Sequence, residues 1–200
     1  MNFVEKLHRS GIQQRRANVL AKHMATRLPP DSSVLDIGSG DGHTAKIIQT
    51  LRPDVKIIGT DVLVRDDAQI EVIPFDGKTL PFESESMQSA LFIDVLHHVD
   101  DAEAMLKEAK RVCSESILIK DHFNESRIDE ETLKFMDNVG NRQFGVSLPY
   151  KYLSRKQWDA LFLSLGVRSG KWDSRLGLYP IPLNFLFERN LHFVCTLHLT

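Results

Sequence analysis

From Val34 to Lys120, short unbroken runs of apolar residues alternate with longer stretches in which apolar positions recur every three or four residues. Short runs bounded by turn residues predict strands, and the longer periodic stretches predict helices. Strands are expected at Val34–Ile37, Lys56–Thr60, Ile70–Ile73, Ser89–Leu96 and Ser116–Lys120, with helices over about residues 42–51 and 101–112. Pro53 and Pro74 punctuate the series. The run "SALFIDVL" is almost wholly apolar, as a central parallel strand covered on both faces should be. This alternation predicts parallel strands joined by helical crossovers.

The second half has a different rhythm. A helix is predicted over Ile128–Val139, then the irregular stretch "GNRQFGVSLPYKY". Ser154 and Gln157 form a capping-box pair that opens a further helix. On it Trp158, Leu161, Phe162 and Leu165 share one face and are expected in the core, with Gly166 as the stop. Leu191–Leu199 reads as a last strand and Val167–Trp172 as its antiparallel neighbour. No repeat or low-complexity linker divides the chain. One domain is expected over 1–200, with an N-terminal helical region (1–28), a ligand-binding half (30–120) and a substrate-side half with a lid-like insert (121–200).

Composition changes this picture only by exclusion. With 200 residues, 42% hydrophobic content and a formal net charge of -2, the chain can bury a substantial core and offers no overall basic character for gripping nucleic acid. Residues 1–28 carry six Lys or Arg against Glu5 alone, but Val19, Leu20, His23 and Met24 recur at helical spacing before Leu28-Pro29-Pro30. A solvated helix packed beside the domain is therefore expected, rather than a targeting device. Cys113 and Cys195 are the only cysteines and lack metal-type or redox-motif spacing, which fits a reducing cytoplasm. No apolar run is long enough to span a membrane and no signal-peptide core is present, so export is not expected.

The candidate chemistry begins at "VLDIGSGDG", where three glycines and two aspartates crowd the end of the first strand and the turn after it. Glycines let the backbone turn tightly and approach a ligand closely. A dinucleotide-binding loop wants G-x-G-x-x-G, whereas the spacing here is G-x-G-x-G with His43 in place of the third glycine. Asp36 and Asp41 would also repel a pyrophosphate. A ligand with an ammonium and a sulfonium and no phosphate reverses that objection. S-adenosylmethionine is such a ligand. Asp61 lies 19 positions after Gly42, at the end of the second strand, where a carboxylate receives ribose hydroxyls in either cofactor class. Asp76 in "FDGKTLPF" can meet an adenine amino group, though Asp-Gly is also a turn signal in its own right.

Taken in order and spacing, "VLDIGSGDG", "IIGTD", "FDGKTLPF" and "ALFIDVLHHVDD" resemble the class I S-adenosylmethionine-dependent methyltransferases, in particular the small-molecule group called methyltransferase type 11. The resemblance covers roughly residues 30–120. It implies a Rossmann-like α/β fold: a seven-stranded, mostly parallel sheet in the order 3-2-1-4-5-7-6, strand 7 antiparallel, with helices on both faces. It also implies that Asp36, Gly38, Ser39 and Gly40 border the methionine part of the cofactor, Asp61 and Val62 the ribose, Asp76 and Gly77 the adenine, and Asp94 the region near the methyl group.

Methyl transfer needs an aligned nucleophile, exclusion of water, and a base only if the nucleophile arrives protonated. Groups just beyond strands 4 and 5 are placed for this, which selects His97, His98, Asp121 and His122. Some sugar and natural-product O-methyltransferases resembling this sequence use a His pair at the "LHH" position with an Asp after strand 5. Carried over, these are His97, His98 and Asp121, with His98 the favoured base because it shares strand parity with Asp94. Either histidine could equally be a packing residue. A magnesium site on Asp94, Asp121 and His122 is disfavoured, since His122 stands where an oxygen ligand would be expected.

The strand-4 exit lacks the N/D-P-P-Y/F signature of amino-methylating nucleic-acid enzymes, and no Pro-Cys nucleophile occurs. The expected reaction is thus O-methylation of a small, partly apolar metabolite. N- or C-methylation, RNA base methylation, and a module that binds the cofactor without chemistry stay open as alternatives. Phe123, Phe135, Phe144, Tyr150 and Tyr152 are pocket candidates, and "LGLYPIPLNFLF" is expected to cover the pocket, contact a second copy or touch an amphiphilic substrate. Monomer and homodimer are both compatible with these features.

Overall fold

The computed structural model describes residues 3–141 and 149–199, with side chains from Gly11 to Val139 and from Pro149 to Leu199. Seven strands form one sheet: β1 (Ser33–Ile37), β2 (Lys56–Asp61), β3 (Val72–Pro74), β4 (Met87–Ile93), β5 (Cys113–His122), β6 (Arg168–Ser169) and β7 (His192–His198). Their order is β3-β2-β1-β4-β5-β7-β6, parallel from β3 through β5, with β7 antiparallel to both its neighbours. The described helices are α1 (Phe3–Ala25), α2 (His43–Leu51), α3 (Ala102–Val112), α4 (Arg127–Asn141), α5 (Arg155–Ser164) and the short α6 (Asn184–Phe187).

Alternation along the central strands builds two cores. Leu35 and Ile37, Ala90 and Phe92, Ile117 and Ile119, and Phe193, Cys195 and Leu197 point to one face, where α3 and α5 bring Leu106, Ala109, Trp158 and Phe162. Val34, Leu91, Leu118 and Val194 point to the other, against Leu20, Ala21 and Met24 of α1 and Ala45 and Ile48 of α2. A strand covered on both faces must be apolar at every position, which is why β4 and β5 read as continuous runs. From Gly11 on, the described side chains of the basic N-terminal segment accordingly belong to a packed helix.

Caps and stops follow local chemistry. Asp101 accepts from the Ala104 amide at 3.0 Å to open α3, and the Ser154–Gln157 capping box opens α5. Gly166 ends that region at φ 63°.

Several boundaries depart from the sequence reading, the strand expected over Val167–Trp172 shrinking to Arg168–Ser169, and three of the departures have a plain tertiary reason. The third strand is Val72–Pro74 rather than Ile70–Ile73, because Ile70 packs beneath the glycine loop and the Gln69 amide donates to the Asp41 carbonyl at 2.8 Å. β4 ends at Ile93 rather than Leu96, because Asp94 turns the chain out of the strand at φ 59°. β5 runs on to His122, so Asp121 and His122 sit on the strand instead of after it; the β7 ladder pairs them with Phe193 and His192.

Candidate functional site

The glycine loop is built by backbone constraints. Gly38, Gly40 and Gly42 all have positive φ, and a Cβ on Gly38 would lie 2.7 Å from Val95. Asp61 ends β2 beside the loop, accepting from the Gly40 amide at 2.8 Å through one oxygen and from Leu63 at 3.0 Å through the other. Those bonds fix the carboxylate at the mouth of the loop. Ser39 turns its side chain inward onto Gly59, so its backbone is the part that borders the cleft. Val62 is 65% exposed and faces Gly77, whose Cβ would meet it at 3.2 Å. Asp76 spends one oxygen on the Lys78 and Thr79 amides, at 2.8 and 2.7 Å, in the turn that the Asp-Gly pair announces.

Asp36 tests the fit to the expected ligand. It is buried at the end of β1, and burial, then the Asp61 charge, raise its pKa to about 7. Among the described residues no basic side chain pairs with it. A buried carboxylate without a cation is costly, and the ammonium group of S-adenosylmethionine is the partner its chemistry asks for. The chemistry of Asp36 therefore fits that cofactor, which Asp36 and the Gly38–Gly40 backbone would hold at the methionine end, Asp61 and Val62 at the ribose, and Asp76 and Gly77 at the adenine.

Beyond β4 and β5 the groups are assembled by charge. Asp94 lies between Lys120 of β5, with which it forms a close ion pair, and Arg16 of α1 at 3.3 Å. Burial alone would raise its pKa; Lys120 and Arg16 outweigh that and hold it well below the usual carboxylate range. Lys120 is fully buried, and its pKa is lowered by that burial despite Asp94. Asp121 accepts from the Leu96 and His122 amides at 3.1 and 2.8 Å and from His97 Nδ1 at 2.7 Å.

The two adjacent histidines differ sharply. His97 is 1% exposed, with its far nitrogen 3.5 Å from Asp137 of α4. Burial would depress its pKa, but Asp121 and Asp137 raise it to about 10. His98 is half-buried, its ring centroid 4.0 Å from that of His97. Its pKa is lowered, by burial first and by the His97 charge second. His122 and His192, with tilted rings whose centroids are 4.9 Å apart, are both held well below the ordinary histidine value by burial and Lys120.

The structure thus gathers Asp94, His97, His98, Asp121 and His122 in one cluster, while Asp36, Gly38, Gly40 and Asp61 lie at the glycine loop and Asp76 and Gly77 in the turn after β3. Sequence reasoning missed Arg16, Lys120, Asp137 and His192. One signal was present: Asp137 follows Leu133 by four, on the inward stripe of an amphipathic helix. Among the pocket candidates, Phe123 is core against Phe193 and Trp172, Tyr152 is buried and donates to Asp137, Tyr150 is half-buried, Phe135 is 57% exposed, and Phe144 lies outside the described residues.

Two trios, His97–Asp121–His122 and His97–His98–Asp137, bring nitrogen and oxygen atoms within 4.8 Å of one another. Both His97 nitrogens face carboxylates, and the protons of an imidazolium occupy the lone pairs a metal would need. The magnesium set built on Asp94 meets Lys120 and Arg16, two cations already in that place. On the outer side of α4, a groove of about 650 Å³ is lined by Ile128, Phe135, Leu186 and Phe187, with Arg127 and Arg189 at its edges. Phe187 stacks between Phe135 and Tyr179, and Tyr179 carries Arg16 over its ring. The groove and the cluster thus share a wall.

Residues 35–116 match the family described as "Methyltransferase domain". No curated protein sequence matches the chain significantly. Among solved structures, a chain from the Haloferax volcanii complex with the Trm112 methyltransferase activator is 15% identical, with TM-score 0.71 over 94% of this chain and 92% of that one. A SAM-dependent methyltransferase from Thermotoga maritima is 22% identical, with TM-score 0.67 over 99% and 97%. The [4+2]-cyclase SpnF is 13% identical, with TM-score 0.66 over 90% and 80%. At these identities the likeness is one of fold, and it is the class I methyltransferase fold.

Proposed function

We propose that this chain, a class I S-adenosylmethionine-dependent methyltransferase, methylates an oxygen of a small, partly apolar acceptor, with His98 taking the acceptor's proton. When bound, the cofactor supplies an activated methyl carbon. The protein's own part is to hold the acceptor in line, keep water out and accept a proton at the nucleophile.

The observation that carries the reading is the unequal pair after β4. His97 lies between Asp121 and Asp137, whose charges raise its pKa to about 10, so it is poorly suited to take up a further proton. His98 is half-buried and kept neutral, which is the state a general base requires. Asp121 anchors His97 and, through the Leu96 amide, the loop that carries both rings. On the acceptor side, Tyr150 and the wall shared with the Phe135–Phe187 groove supply apolar surface, which supports a partly apolar substrate. The net charge of -2 favours a small molecule over RNA. In this reading the chain works as one domain in the cytoplasm, in keeping with its two buried free thiols.

Methyl transfer from labelled S-adenosylmethionine to a panel of phenols, sugar hydroxyls, amines and transcribed RNA tests the proposal. Transfer to an oxygen nucleophile, lost in His98→Ala while the cofactor still binds, is the expected result. Preferential labelling of RNA or an amine, or an undiminished rate in His98→Ala, would overturn it.

A further inference from the structure

His97 has a carboxylate on each side, and only one of them comes from its own neighbourhood in the sheet. Asp121 Oδ1 lies 2.7 Å from Nδ1. The second carboxylate, Asp137 Oδ2, lies 3.5 Å from Nε2 and is brought by the inner face of α4. Asp137 is itself buried, 7% exposed, and accepts a close hydrogen bond from the Tyr152 hydroxyl. The Tyr152 ring also packs on His97, with centroids 5.4 Å apart. A carboxylate in such a place is costly unless a cation meets it. His97 is the imidazole it faces.

We propose that Asp137 is a positioning residue: together with Asp121 it clamps His97 as a doubly protonated imidazolium, a fixed positive charge set against the ring of His98. Tyr152 orients the clamp by holding the Asp137 carboxylate toward the imidazole. The groups that face His97 are His98 on its own loop, Asp94 at the end of β4, Asp121 and His122 on β5, Asp137 on α4 and Tyr152 before α5. The charges balance: Asp94, Asp121 and Asp137 stand against Arg16, Lys120 and His97. An acceptor that gives its proton to His98 then leaves an anion beside a permanent cation, which favours its ionised form.

This role rests on the preceding reading only in its effect on turnover; the protonation state of His97 can be measured without acceptor or cofactor. Long-range proton–nitrogen NMR of the full chain, with imidazole nitrogens labelled and His97 assigned by His97→Gln, should show both His97 nitrogens protonated from pH 7 to 9. In Asp137→Asn, which keeps the side-chain shape and removes the charge, the ring should lose a proton about 1–3 pH units lower. The alkaline fall in thermal stability should move down with it. Tyr152→Phe should shift the same transition in the same direction and by less. A singly protonated His97 in the wild type at pH 7 overturns the proposal whatever the variants do. So does an Asp137→Asn protein that folds with the His97 titration unmoved, or a metal ion found bound to His97 in stoichiometric amount. Failure of methyl transfer with the clamp intact would count against the methyltransferase chemistry and leave the clamp standing.

Discussion

The glycine loop after β1 and the histidine cluster after β4 lie at the same edge of one sheet, yet they are held by different forces. Around the loop, the geometry is fixed by the backbone: positive-φ glycines, an Asp61 bonded to two amides, and beyond β3 an Asp76 bonded to two more. Around the histidines, side chains from α1, β4, β5, α4 and the segment before α5 hold one another by charge. Local backbone geometry produces nearly independent contributions. A buried charge network produces coupled ones, because removing any member leaves another uncompensated. Changes near the loop should therefore act on cofactor affinity alone, and changes near the cluster on turnover, pH dependence and stability together.

The sharpest break between the two regions should come from His98. His98→Ala is expected to lower turnover on an oxygen acceptor by on the order of 10²–10⁴ while calorimetric affinity for S-adenosylmethionine stays near the wild-type value. A comparable loss in affinity would mean that the two regions are one site energetically.

Next in size is the ion pair beneath the cluster. Lys120→Met leaves Asp94 with Arg16 and the His122 ring and should cost about 3–5 kcal/mol of stability in urea unfolding. The double variant Lys120→Met/Asp94→Leu should recover part of that loss. Costs that simply add would show that the network is uncoupled.

On the loop side, Asp61→Ala should weaken cofactor binding by about 1.5–3 kcal/mol. Asp76→Ala should do so by about 1 kcal/mol, since its ligand partner is uncharged. Turnover at saturating cofactor should hardly change in either.

A pH titration of cofactor affinity sharpens the comparison further. With its pKa raised to about 7, Asp36 is protonated below that value and cannot meet a ligand cation. The dissociation constant should rise about tenfold for each pH unit below that point and level off above it. Asp36→Asn should flatten the curve. His97 has the opposite sign of linkage: its pKa is raised from 6.5 to about 10, so the stability it contributes is complete below pH 6.5 and is lost as pH climbs through about 10. The smallest effect should be that of a chelator, which is expected to leave turnover unchanged; a loss restored by magnesium would return attention to Asp94, Asp121 and His122.

Much of this was legible in the residues. The glycine turn, the capping box at Ser154 and the core face of α5 follow from periodicity and from short-range chemistry acting within a few positions, whereas the strand order was implied by the family resemblance. Asp61 and Asp76 were placed by the same logic, one ending a strand and the other lying just past one. The pairing of His97 with Asp121 was anticipated as part of a trio. Which imidazole carries the proton was not, because a histidine's charge depends on what approaches it from elsewhere in the fold.

By itself, then, the sequence determined what neighbours in the chain decide: helices, strands, their parallel arrangement, and a cleft floored by glycine and walled by carboxylates. The tertiary structure alone decided where β5 ends, because β7 had to lie beside it, and which cations answer Asp94, because Arg16 and Lys120 come 78 residues before it and 26 after it. It also decided that Asp137, 40 positions beyond His97, closes on that ring. The physical reason is one of range. Backbone preference acts over a turn or two, whereas a buried charge is settled by every group that folding brings within a few ångströms of it.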